Sequence, residues 1–127
     1  MARFLWICLG GAAGTGARYL LSGWVLQRLG GSFPYGTLSV NVIGSFLLGV
    51  LMQVALGTQL LSPTLRLALT TGAMGGFTTY STFNYETLQF FQEGALLLGL
   101  LNILTTVLVC LAAGALGLFG ARWAIGG

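Results

Sequence analysis

Apolar residues fill four long stretches of this chain, and three short runs rich in glycine, proline, serine or glutamine separate them. The pattern predicts helices over about 4–29, 37–61, 65–91 and 95–119. Each is long enough for the about 20 apolar residues that a membrane-crossing helix needs. The first break, Gly30-Gly31-Ser32-Phe33-Pro34-Tyr35, combines helix-stopping glycines with a proline. The second, Ser62-Pro63-Thr64, offers a serine cap followed by a proline suited to the first helical turn. The third is Gln92-Glu93-Gly94. No internal repeat is visible, so 1–127 reads as one transmembrane domain.

The polar residues inside these stretches follow a helical period. Thr37, Asn41 and Ser45 recur every four residues and share one face of the second helix. Asn102, Thr106 and Cys110 repeat the spacing on the fourth, where they could oppose the first stripe. An isolated asparagine in a membrane helix often glues helices together. Within a stripe it can instead line an aqueous path, and both readings of Asn41 stay open here. Arg18 stands inside the first helix, where a charge must snorkel or face a polar interior. Gly10 with Gly14, and Ala12 with Gly16, are small-residue pairs that allow close helix packing.

The third helix departs furthest from a lipid-facing pattern. Nine of the eighteen residues from Thr70 to Thr87 bear hydroxyls, and Gly72, Gly75 and Gly76 lie among them. A break is expected at Gly75-Gly76 followed by Thr78-Thr79, because glycine permits non-helical angles and threonine can bond freed backbone groups. In hydrocarbon such backbone survives only when buried in protein or lining a cavity. There it can offer carbonyls to a cation or N–H groups to an anion. A packing kink is the alternative. Tyr80 and Phe83, three apart, share a face beyond the break, and Glu86 lies near the helix's far end.

Composition narrows the class. Of 127 residues, 56% are hydrophobic and 6% charged, with mean hydropathy +0.92, against roughly a quarter charged in soluble domains. This is the profile of an integral membrane protein. A net charge of +3 from five arginines and two glutamates gives no basic patch for nucleic acid. The absence of histidine removes the usual haem ligand and proton shuttle. Cys8 and Cys110 lie in apolar runs and read as buried free thiols. The N-terminus lacks a small-residue cleavage site and reads as a first span, not a removed signal. Arg3, Arg66 and Arg122 fall on one side of a four-span chain and Arg28 on the other, a mild bias towards cytoplasmic termini. No nucleophile–base pair suggests an enzyme.

The chain resembles the Fluc (CrcB) family of fluoride channels over nearly its whole length. The resemblance rests on Gly14 to Arg18, on Gly36-Thr37-Leu38-Ser39-Val40-Asn41, and on the long motif from Gly72 to Phe83. It implies an all-α, multi-pass protein of the bacterial inner membrane, with four transmembrane helices and a break in the third. It also implies assembly with a second copy as an antiparallel dual-topology homodimer containing paired fluoride pathways. The family's structural sodium ion would be held by the backbone carbonyls of Gly75 and Thr78. Fluoride contacts would come from Asn41, Ser81, Thr82, Thr106 and the aromatic edges of Tyr80 and Phe83, with Arg18 and Glu86 at the pathway ends. Tyr80 stands where the family has a phenylalanine, and Asn102 where some members have a tyrosine. The implied function is passive release of fluoride that entered as hydrogen fluoride and ionised in the cytoplasm. Two rival classes are a small dual-topology multidrug exporter and a membrane anchor or assembly subunit. The exporter would need a carboxylate deep in the first span, which holds Arg18 and no acid.

Overall fold

A computed structural model describes residues 1–126, all in helices or the turns that join them. α1 spans Ala2–Leu29 and ends at Gly30, whose φ of 80° suits a residue without a side chain. α2 spans Tyr35–Gly57. α3 is short, Pro63–Leu67, and its start follows the expected chemistry: Pro63 opens it and the Ser62 hydroxyl accepts from the Leu65 amide at 3.1 Å. A π-helical stretch, Ala68–Met74, continues it, followed by a single turn, α4, at Gly75–Phe77. α5 spans Ser81–Gln92 and α6 spans Leu96–Ala124.

α2 and α6 are the helices long and apolar enough to cross a membrane among the described residues. α1 has the length, at 28 residues, but Arg3, Thr15, Arg18 and Ser22 dilute its apolarity. The third segment is divided. The expected second span overshoots, since α2 stops at Gly57 and Thr58 turns extended, its hydroxyl and amide both bonding the Val54 carbonyl. α6 runs past the expected end at 119 to Ala124.

Two pairings build the fold. α2 packs along α6, while α1 lies against the π-helical stretch and α4. In the second pairing the backbones touch: a Cβ at Gly14 would strike the carbonyl of Ala73, and one at Gly10 that of Ala68. Gly16 faces open space, so of the two small-residue pairs only Gly10 and Gly14 serve packing within the chain. Close approach of this kind matters because lipid gives no hydrophobic drive between helices.

Few apolar side chains are buried; Val25, Val40, Phe77 and Phe83 are the larger of them. Much of α1 and α6 instead presents exposed leucine, phenylalanine and tryptophan. Cys8 lies on that outward side of α1 and is exposed, and Cys110 is half-buried. The expectation that both thiols are buried is corrected for Cys8: an apolar sequence run marks a helix that prefers a dry surrounding, not one enclosed by its own chain.

Candidate functional site

The third segment loses its helical ladder at Thr78, Thr79 and Tyr80. Gly75 and Gly76, expected at the break, remain helical. Thr78 closes the first part: its amide and hydroxyl both bond the Met74 carbonyl, at 3.0 and 2.9 Å, and its backbone then turns extended at φ −86°, ψ 160°. Thr79 opens the second part. Its hydroxyl accepts from the Thr82 amide at 3.3 Å and pairs with the Thr82 hydroxyl at 3.1 Å, as a capping side chain does at a helix start.

Two side chains from other helices stitch the gap. The Asn41 amide brackets Thr79: Nδ2 donates to the Thr79 carbonyl at 2.9 Å, and Oδ1 accepts from the Thr79 amide at 2.8 Å. One buried side chain thereby satisfies both backbone groups of a residue with no helical partners, which would otherwise be costly. From α1, Arg18 Nε donates to the Gly76 carbonyl at 3.0 Å. Arg18 thus turns inward instead of snorkelling, and places positive charge at the carbonyl end of the first helical part. Gly76 and Thr79 have their carbonyls engaged, while no bond to the Gly75 or Thr78 carbonyl is present among the described residues.

Two cavities follow the polar stripe of α2. The inner one, about 440 Å³, is lined by Asn41 and Ser45 of α2, by Thr78, Thr79, Tyr80 and Phe83, and by Thr106 and Cys110 of α6. The polar stripes of α2 and α6 therefore face each other there. The outer one, about 650 Å³, contains Thr37 of α2 with Thr82 and Glu86 of α5, beneath the loop Phe33-Pro34-Tyr35. Phe33 stacks on Phe90 and tilts against Tyr35, which fixes that loop over α5. Glu86 is half-buried, and its Oε1 is buried with no hydrogen-bond partner among the described residues.

The expected site residues thus divide. Asn41, Tyr80, Phe83 and Thr106 meet in the inner cavity, and Thr82 and Glu86 in the outer. Ser81 is exposed and lines neither, and Arg18 lines neither but bonds the Gly76 carbonyl just before the gap. Tyr80 and Phe83 meet edge to face, with centroids 5.7 Å apart and planes at 69°. Phe83 is buried while Tyr80 is 77% exposed. Sequence reasoning passed over Thr87, one hydroxyl in a long run. It is buried and accepts from Asn102 Nδ2 at 2.9 Å.

An all-helical chain with membrane-length apolar helices and cavities lined by hydroxyl, amide and ring groups defines a helical membrane protein. The CrcB family description, "CrcB-like protein, Camphor Resistance (CrcB)", matches residues 5–118. The chain belongs to that family. It is 61% identical over 127 residues to a protein of Sorangium cellulosum called "Fluoride-specific ion channel FluC", with all of both chains covered. Proteins of the same name from Anaeromyxobacter dehalogenans and Geotalea daltonii are 53% and 49% identical. Those matches cover 99% and 97% of this chain, and 100% and 99% of the relatives.

Proposed function

We propose that this chain is a fluoride-selective channel of the bacterial inner membrane. It lets fluoride leave the cytoplasm passively and so lowers intracellular fluoride; it catalyses no reaction. The observation that carries this reading is the succession of the two cavities along the Thr37, Asn41 and Ser45 stripe, each walled by α5. Fluoride holds its water tightly, so a pore must replace that shell with donors at each step. Thr37 and Thr82 offer hydroxyls in the outer cavity, and Asn41 and Thr106 offer amide and hydroxyl donors in the inner one. The rings of Tyr80 and Phe83 add electropositive edges. Several modest contacts in series let an anion enter and still leave. The names of the relatives supply the identity of the anion.

The working unit in this reading is an antiparallel dual-topology homodimer. The exposed apolar surface of α1 and α6 leaves ample area for lipid and for a second copy. The carbonyls of Gly75 and Thr78 suit a structural sodium ion: both are backbone oxygens beside a helix interruption, a donor type that holds sodium in other membrane proteins. One chain supplies two such oxygens, and a second copy would complete the set. The bound ion would supply fixed positive charge near the anion path.

Purified protein in liposomes is expected to release fluoride rapidly, without a proton gradient. No efflux above protein-free liposomes would defeat the channel reading. A C-terminal reporter is expected on both faces of the membrane, and placement on one face alone would rule out dual topology. Gly75→Val tests the assembly. A Cβ at Gly75 meets nothing closer than the Thr70 carbonyl at 4.0 Å, so valine is tolerated within one chain and crowds only a second copy or the ion. The variant is expected to fold yet elute as monomer with flux lost. A normal dimer with normal flux would argue against the sodium site.

A further inference from the structure

Asn102 is the most deeply buried polar side chain described, at 1% exposure, yet it lines neither cavity. Its two ends are both engaged. Nδ2 donates to the Thr87 hydroxyl at 2.9 Å, and Oδ1 accepts from the Thr106 hydroxyl at 3.5 Å. Thr87 in turn donates to the Phe83 carbonyl at 2.8 Å. The bonds therefore run in one direction, from Thr106 on α6 through Asn102 and Thr87 to Phe83 on α5. The ends of this relay, Thr106 and Phe83, both line the inner cavity. One turn before Asn102, Gly99 lies against the Phe91 ring with no room for a Cβ, which lets α5 and α6 approach closely enough for the amide to reach.

We propose that Asn102 is a positioning residue that sets the width of the inner cavity, and through it the preference for a small anion. The inference rests on the fluoride-channel reading. An apolar side chain of similar size could fill the space behind the cavity, but it could neither accept from Thr106 nor donate to Thr87, as the amide does. The relay's one bond between helices, Asn102 to Thr87, fixes how far the α5 wall carrying Phe83 stands from the α6 wall carrying Thr106. The relay also draws the Thr106 proton towards Asn102 at rest. The long 3.5 Å contact leaves that hydroxyl free to swing and donate to an anion in the cavity. Without the relay the walls separate, and a larger halide fits where donors could previously close only on a small one.

The test uses the full chain in liposomes, with fluoride and chloride efflux measured side by side. Thr87→Val deletes the relay hydroxyl at nearly constant volume, Thr87→Ser retains it, and Asn102→Leu removes the amide. Amide hydrogen exchange over residues 83–91 is followed in each variant. The expected result for Thr87→Val and Asn102→Leu is a fluoride-to-chloride flux ratio lowered about tenfold, with faster exchange in α5. Thr87→Ser should stay within about twofold of the parent on both measures. An unchanged ratio in Thr87→Val, or equal losses in Thr87→Val and Thr87→Ser, would overturn the proposal and leave a packing contact. If Asn102→Leu does not fold, the threonine pair decides alone. A parent protein that moves no fluoride defeats the channel reading instead, while the exchange difference still decides whether the relay holds α5 to α6.

Discussion

Asn41→Leu is expected to abolish fluoride efflux and to lower stability by about 2–6 kcal/mol. The side chain makes two hydrogen bonds to one residue, at 2.9 Å to the Thr79 carbonyl and 2.8 Å from the Thr79 amide. Leucine leaves both backbone groups of half-buried Thr79 unpaired, and each orphan costs about 1–3 kcal/mol. The gap between α4 and α5 then has lost its clamp from α2, and with it the placement of Tyr80, its last residue, and of Phe83 just beyond it. Asn41→Asp separates the clamp from the anion contact. Aspartate still accepts from the Thr79 amide but cannot donate to its carbonyl, and its charge faces the inner cavity. It should recover part of the stability and none of the flux, because the carboxylate repels an anion. Thermal unfolding in detergent, read beside liposomal efflux, distinguishes the two losses. Full flux through Asn41→Leu would remove Asn41 from both the clamp and the pathway.

The double use of Asn41 shows what one sequence can reveal and what it leaves hidden. Its place on a stripe with Thr37 and Ser45 followed from helical spacing alone, and the residues that line the two cavities along α2 include all three. Its bond to Thr79 did not follow, because a spacing places residues on a face and says nothing about which backbone group opposes them. The glycines gave a similar half-answer. They marked the right region, yet Gly75 and Gly76 stay helical and the ladder lapses at Thr78–Tyr80. Glycine permits a break without requiring one. The threonines decide its place, Thr78 by closing one helix on Met74 and Thr79 by starting the next at Thr82. The π-helical stretch at Ala68–Met74 left no trace in composition, since it differs from an α-helix by one step of hydrogen-bond register. Packing sets that step, and here Gly72 lies against the backbone of α1 at Ile7. On α6 the stripe of Asn102, Thr106 and Cys110 looked uniform. Helix twist nonetheless sends Thr106 and Cys110 to the inner cavity and Asn102 to Thr87.

Phe83→Ile is expected to leave a folded protein whose fluoride efflux falls at least about tenfold. Phe83 is buried and also lines the inner cavity, so a loss on mutation could come from packing or from the anion contact. Isoleucine keeps most of the apolar volume, and such swaps cost below about 1.5 kcal/mol. The edge-to-face pair with Tyr80 adds about 0.5–1.5 kcal/mol to the cost, a sum a folded domain withstands. What isoleucine cannot replace is the electropositive ring edge. Tyr80→Phe supplies the complementary measurement. Tyr80 is 77% exposed and its ring meets Phe83 at 69°, a geometry that needs the ring and not the hydroxyl. The variant is therefore expected to retain efflux within about threefold, since the ring contacts survive. A large loss in Tyr80→Phe would move the contact from the ring to the hydroxyl. Undiminished efflux through Phe83→Ile, with an unchanged size-exclusion profile, would reduce Phe83 to core packing and leave the inner cavity's hydroxyl and amide donors to carry the anion alone.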